Sequence, residues 1–369
     1  MNDSIHGRFI HLIPINREIT MEQDIVYLDR NEHNYGPPKC VYDILKNADL
    51  TKISWYSRSF MTGSKSKLVA YFSERFGLPE KNILLGYGGE DILKQVVHCY
   101  ISFDKTQKTL LVPRYSWWYY KAIADEVDGK TVTFPIYQDK DTFRFDIEGM
   151  RKVFQEEKPD MILIASPNNP TGNSLSLDEL KKVIEVVDQD TVIVLDEAYA
   201  QYENADISYI KPLIEDTPNL LLVRSFSKYY GLAGLRIGYG FMGNGLEKFA
   251  QFSARYLGYN RLSEEIAIAA MEETAYYEDI NRKMREDKAL FAKELGAIDG
   301  FTVFKSDANF ILVEIPQEIT DGLKKFMNDK RLIIKFMNED GFTHHLRISL
   351  GTQEQNRRVI DAIKEYASR

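Results

Sequence analysis

The chain has 369 residues, 44% of them hydrophobic, a formal net charge of -8 and two cysteines. That length admits two domains and a large core, which argues against wholesale disorder. The negative balance argues against nucleic acid as the main partner, no apolar run approaches the roughly 18 residues of a bilayer span, and Cys40 and Cys99 show neither zinc spacing nor a disulfide framework.

In chain order, the first residues (MNDSIHGRFIHLIPINRE) are too polar for a signal peptide. With two unclustered cysteines, a cytoplasmic protein is expected. Six short apolar runs follow, at 82–86 (NILLG), 109–113 (TLLVP), 161–166 (MILIAS), 191–196 (TVIVLD), 219–225 (NLLLVRS) and 236–241 (RIGYGF). Each is rich in Val, Ile or Leu or closes on Gly, Pro, Ser or Asp. Such runs read as strands of a parallel sheet covered on both faces. Between them lie amphipathic stretches. One starts at a capping box on Ser176, with Leu177, Leu180, Val183, Ile184 and Val187 at helical spacing. This alternation predicts an α/β sheet domain. From Ser263 a charged helical region runs to Leu295. Strand-like runs at 301–315, 331–337 and 346–351 and a helix from Thr352 then predict a smaller α+β domain. The expected division is 1–50 as an arm packing on the small domain, 51–262 as the large domain and 263–369 as the small one.

Open α/β sheets place ligands beyond the carboxyl ends of their strands, so the residues after each run are the candidates. The first run leads to Gly86-Tyr87-Gly88-Gly89-Glu90-Asp91 and a helix start, which is either an anion site or a plain tight turn. The second leads to Tyr115 among aromatics that can stack on a planar ring or simply pack. The third leads to a turn with adjacent Asn168 and Asn169. The fourth ends in Asp196-Glu197, a costly buried carboxylate whose partner is Mg²⁺ or a protonated ring nitrogen. The fifth leads to Ser225, Ser227, Lys228 and, eight residues after the lysine, Arg236. A nucleotide hydrolase needs G-x-x-x-x-G-K-[ST], and Gly63-Ser64-Lys65-Ser66-Lys67 lacks that spacing. Gly238, Gly240 and Gly243 formally match G-x-G-x-x-G but read as a strand and its turn.

Pyridoxal phosphate (PLP) chemistry accounts for all five stations together. The segments SPNNPTG (166–172), VLDEAY (194–199) and SFSKYYGLAGLRIGY (225–239) resemble the signatures of fold-type I, class I/II aminotransferases. LDRNEHNYGPP (28–38) and LRISLGT (346–352) resemble the histidinol-phosphate aminotransferase family, and the similarity runs from Leu28 to the end. The resemblance implies a fold-type I PLP-dependent transferase: a large α/β domain with a mostly parallel sheet, plus a smaller α+β domain. It implies catalytic roles for Lys228, which would carry PLP as a Schiff base and shuttle a proton, for Asp196, which would face the pyridine nitrogen, and for Tyr199, which with Asn169 would bond the ring's O3′. Tyr115 would stack on the ring. Gly89 and Glu90 backbone N–H groups, Ser225, Ser227 and Arg236 would hold the phosphate, with Tyr56 reaching in from a neighbouring subunit. Substrate would meet Arg347 through its carboxylate, and also Asn169, Asn31 and Lys335.

Some positions depart from the family pattern. Lys335 stands where an arginine usually helps bind the substrate's phosphate, Ile15 stands where a tyrosine follows Pro14, and Asn-Pro-Tyr-Gly is replaced by His33-Asn34-Tyr35-Gly36. His33 reads as a bystander. Metal is not expected at His344-His345, because adjacent strand residues point to opposite faces. The implied function is a cytoplasmic, homodimeric aminotransferase of amino-acid biosynthesis, moving an amino group from a donor, possibly phosphorylated, to a 2-oxo acid such as 2-oxoglutarate. The alternative is a decarboxylase of the threonine-phosphate type. A PLP-binding regulatory protein finds no support in the sequence.

Overall fold

A computed structural model describes residues 25–57, 66–203, 205–255 and 257–369. Ile15 and residues 63–65 lie outside these. The described strands are β1 (Val26–Leu28), β2 (Ile83–Gly86), β3 (Thr109–Pro113), β4 (Lys130–Phe134), β5 (Ile136–Asp139), β6 (Thr142–Phe145), β7 (Met161–Ala165), β8 (Val192–Asp196), β9 (Leu220–Ser225), β10 (Gly238–Met242), β11 (Thr302–Phe304), β12 (Phe310–Glu314), β13 (Leu332–Phe336) and β14 (His345–Ser349).

The six apolar runs all become strands of one seven-stranded sheet, in the order β2-β10-β9-β8-β7-β3-β4. Every residue of β7, β8 and β9 is buried, as strands covered on both faces must be. The sheet is parallel from β9 to β4. β10 runs antiparallel to both β2 and β9, so the expectation of a parallel strand at 236–241 is corrected. A fully buried strand is apolar on both faces in either direction, and its sequence carries no sign of its sense. Edge strand β4 (KTVTF) was not anticipated. It is mostly exposed or half-buried and carries no continuous apolar run.

The Ser176 capping box forms as expected, with both reciprocal bonds present on the helix Leu177–Val186. The helical region expected at 263–295 is two helices, Arg261–Glu272 and Thr274–Leu295. Glu273 breaks them with a ψ of 49°. The second sheet has the order β1-β13-β14-β12-β11. β1 adds to it in parallel with β13, Val26 opposite Leu332, so the chain's early residues and its late strands share one sheet. The run at 301–315 is a hairpin, β11 against β12.

Between the helix Lys67–Phe76 and the large sheet sits a packed aromatic cluster in which Phe72 stacks on Tyr239 of β10 at 4.5 Å between ring centroids. Nearby, the buried Arg224 on β9 donates from Nε to Glu197 Oε2 at 2.8 Å, and Tyr209 bonds both groups. Removing one partner of such a pair orphans the other charge. Arg224→Met is therefore expected to lower unfolding free energy by about 3–5 kcal/mol in equilibrium denaturation, with most of it recovered in the double variant with Glu197→Gln. A single-variant loss below about 1 kcal/mol would contradict a dry, paired site.

Candidate active site

The carboxyl ends of β7, β8 and β9, the turn after β3 and the start of the helix Gly89–Ile101 gather the predicted residues. β8 delivers Asp196, 4% exposed. Its carboxylate accepts from the Tyr120 hydroxyl at 2.6 Å and from the Ala198 N–H at 3.0 Å. Burial pushes the Asp196 carboxyl above its ordinary range, and these two donors only partly offset that. A buried acid with dipoles for partners suits a cationic group at its open side. Tyr120 was not singled out in the sequence, because it lies in an aromatic stretch that reads as core.

Tyr199 follows Asp196, and its hydroxyl accepts from Asn31 Nδ2 at 3.0 Å and from Asn169 Nδ2 at 3.4 Å. Lys228 Nζ lies 5.8 Å from the Tyr199 ring centroid and donates to the Arg30 carbonyl at 2.9 Å. Arg347 on β14 donates to Asn169 Oδ1 at 2.6 Å and to the Asp29 carbonyl at 2.7 Å. Its Nε is buried without a partner, and burial works against its charge. One hydrogen-bonded chain thus runs from Arg347 through Asn169 to Tyr199. The adjacent asparagines divide their work: Asn168 bonds the Tyr115 carbonyl and Thr171, leaving Asn169 for the site.

Asn31 is strapped in place at a φ of 55°. Its N–H donates to Ser349 Oγ at 2.8 Å, the Ser349 hydroxyl donates to Asn31 Oδ1 at 3.1 Å, and Asn309 donates to the Asn31 carbonyl at 3.0 Å. Ser349 and Asn309 were missed, since nothing local marks a buried strand serine or a hairpin asparagine.

The anion cradle is built from three elements. Gly88 caps the helix Gly89–Ile101 with φ 88°. A Cβ on it would stand 2.5 Å from Arg236 Nη2, and one on Gly238 would stand 2.2 Å from the Gly88 carbonyl carbon. Only glycine permits this approach. Ser225 and Ser227 are buried beside it, with the Ser227 N–H donating to Ser225 Oγ at 3.1 Å. Arg236 reaches over the helix start, 3.5 Å from the Glu90 carboxylate. A helix N-terminus, two hydroxyls and a guanidinium make an anion site.

The Tyr115 ring stands edge-on to Phe342 at 4.5 Å between centroids. Lys335 on β13 lies directly opposite Arg347 in antiparallel register, so the two cationic side chains share a face of the small sheet. Tyr56 is 70% exposed, and among the described residues it is not brought to the other site groups. His33 lies in the loop after β1 without a carboxylate partner: it is buried, both ring nitrogens lack partners, and burial lowers its pKa to about 4. Its ring packs on the turn after Lys228, where a Cβ on Gly231 would meet His33 Nδ1 at 3.3 Å. The reasoning that set His344 and His345 on opposite faces is also corrected. β14 begins only at His345, His344 lies in the preceding turn, and the two ring centroids are 4.7 Å apart. Burial raises the pKa of both cysteine thiols, which disfavours a reactive thiolate.

A cavity of about 300 Å³ is lined by Ser166, Glu197, Tyr199, Glu203 and Asp307 among others, but not by Lys228, Asp196 or Arg347; it is not where these groups converge. The residues present fit PLP. A buried carboxylate without a cation, an amine, and a cradle that any Cβ would fill match a ring nitrogen, an aldehyde and a phosphate respectively.

Among the described residues, no helix is long and apolar enough to cross a membrane. Residues 23–363 match the family model for aminotransferase class I and II. The histidinol-phosphate aminotransferase of Ruminiclostridium cellulolyticum is 30% identical over 293 residues, 79% of this chain and 78% of that protein. The crystal structure of histidinol-phosphate aminotransferase from Sinorhizobium meliloti in complex with pyridoxal-5'-phosphate superposes with a TM-score of 0.82 at 21% identity, covering 98% of this chain and 99% of that one. L-threonine-O-3-phosphate decarboxylase from Porphyromonas gingivalis superposes with a TM-score of 0.76 at 22% identity, covering 94% and 100%. At such identities the two structures speak for the fold, here fold-type I, while the family match covers nearly the whole chain. The chain belongs to the class I and II aminotransferase family, as a histidinol-phosphate aminotransferase-like member.

Proposed function

We propose that this enzyme holds PLP on Lys228 and moves an amino group between a phosphate-bearing amino donor and a 2-oxo acid such as 2-oxoglutarate, as a cytoplasmic homodimer. The observation that carries the reading is the chain of bonds from Arg347 through Asn169 to Tyr199, with Lys228 beside the Tyr199 ring. A guanidinium suited to a carboxylate next to groups suited to the cofactor supports the reading.

When bound, PLP supplies an electron sink for charge developing at the substrate's α-carbon. Lys228 would anchor it covalently, and the same Nζ, freed once the substrate's amine takes its place, would be the base that moves the α-carbon proton. Asp196 holds the partner nitrogen in its protonated state, helped by the low-dielectric setting that makes an unpaired Asp196 costly. Tyr199 and Asn169 would hydrogen-bond the ring's O3′, and Tyr115 would stack on the ring. Ser225, Ser227, Arg236 and the N–H groups of Gly89 and Glu90 bind the phosphate; Tyr56 of a second subunit completes that cradle. Arg347 binds the substrate's carboxylate bidentately. Asn31 buttresses Tyr199, and Lys335 attracts the donor's distal phosphate as a point charge.

A half-reaction screen tests this. Holoprotein is mixed with histidinol phosphate, phosphothreonine, aromatic amino acids and small amino phosphates, and the cofactor spectrum is followed. Conversion to the aminated form by a phosphorylated donor is the expected result. Release of carbon dioxide in place of a keto product would instead establish the decarboxylase chemistry. Lys335→Ala should raise KM for the phosphorylated donor about 10–100-fold, the loss of one hydrogen bond to a charged group, with a smaller change in kcat. An unchanged KM would remove Lys335 from the substrate site.

A further inference from the structure

β12 ends at Glu314 and β14 begins at His345, and these two residues are directly opposite in antiparallel register. Opposed residues project from the same face. His344 precedes them in the turn, where its carbonyl accepts from the Ile315 N–H at 3.0 Å. His344 Nε2 lies 3.1 Å from Glu314 Oε1. One donor atom from each of the three side chains lies within 4.8 Å of the others. His344 and Glu314 alone would be an ordinary surface contact. His345 changes that. It is 4% exposed, and its Nδ1, like that of His344, is buried without a hydrogen-bond partner. Imidazole nitrogens are rarely left in this condition, because the desolvation is uncompensated.

We propose that Glu314, His344 and His345 form a binding site for a divalent transition-metal cation of the zinc class. Two imidazoles and one carboxylate select this class over Mg²⁺ and Ca²⁺, which take oxygen ligands. Zinc uses four ligands, so a water molecule fills the fourth place. Tetrahedral ligands about 2.1 Å from zinc stand roughly 3.4 Å apart. The His344–Glu314 pair, at 3.1 Å, is near that spacing, and the His345 donor atom lies within 4.8 Å of both.

The ion ties the loop between β13 and β14 to the end of β12. That loop carries Phe342, whose ring is edge-on to His345 at 4.9 Å and to Tyr115 at 4.5 Å between centroids. It also carries Gly341, where a Cβ would stand 2.8 Å from the Tyr115 hydroxyl oxygen. Metal binding therefore stiffens the wall against which Tyr115 rests. It has a structural role and no part in the reaction.

The test uses holoprotein desalted to remove free PLP and stripped of metal with a chelator. Zinc chloride is titrated by calorimetry and by thermal unfolding, with magnesium chloride in parallel. One equivalent of zinc should bind and raise Tm, while magnesium does neither. His344→Gln and Glu314→Gln, both at half-buried positions, should keep the metal-free Tm and weaken zinc binding at least about 100-fold, since even groups that merely orient a ligand contribute about 10–100-fold. Absence of stoichiometric zinc binding, equal affinity in wild type and both variants, or an equal response to magnesium would each overturn the proposal.

Discussion

Replacing Lys228 with alanine is expected to abolish covalent capture of PLP and to cut amino transfer by more than about 10⁴-fold, because one side chain is both anchor and proton-transfer base. Lys228 is half-buried, and among the described residues its ammonium donates to the Arg30 carbonyl. Its loss leaves the Asn31–Tyr199 and Arg347–Asn169 bonds in place. The fold should survive and the defect should be chemical. Bound-cofactor absorbance and turnover measure the two consequences together. A variant that kept the wild-type visible band would remove Lys228 from its role.

Asp196→Asn is expected to cost about 10²–10³-fold in kcat, the scale of one lost electrostatic contact in a water-excluded site. The structural effect should have the opposite sign. In the cofactor-free protein Asp196 is a buried carboxyl whose pKa is raised by burial. An acid raised on folding stabilises the folded state below its unfolded pKa, and that contribution is lost as pH rises through the folded value. Where Asp196 is ionised in the cofactor-free protein, burial penalises that charge and the Tyr120 and Ala198 donors offset it only in part. The substituted amide is isosteric and neutral, and it keeps an oxygen for the Tyr120 hydroxyl or the Ala198 N–H. The apo variant should unfold at a Tm no lower than apo wild type at pH 7, with the advantage fading on acidification. The holo variant should gain less from PLP than wild type does. A variant that was less stable without PLP and equally stabilised by it would show that Asp196 faces no cation.

How much of this could be read from sequence follows from where each signal sits. Asp196 and Lys228 were legible because each is a charged residue at or just beyond the end of a buried apolar run, where an unpaired charge needs a reason, and Arg236 because it follows that lysine by eight residues. Gly88 and Gly89 were legible as glycines at a helix start. Tyr120 was not, because its partner is 76 residues away and its neighbours are aromatics that do pack as core. Ser349 and Asn309, which hold Asn31, are separated from it by some 300 residues of chain, and contacts at that range leave no local pattern. The same applies to the sense of β10, since antiparallel and parallel buried strands have the same composition. The hairpin of β5 and β6 escaped because its turn is Lys140-Asp141, with Lys140 at a φ of 58°, rather than the Asn-Gly type that advertises itself. The strand-period argument at His344-His345 failed for a boundary reason: it applies only inside a strand, and β14 starts one residue later than His344.

Borohydride reduction of holoprotein followed by peptide mass mapping tests the central claim most directly. A phosphopyridoxyl adduct on the peptide bearing Lys228 is the predicted result. An adduct on another lysine, or none in protein prepared with ample PLP, would contradict it.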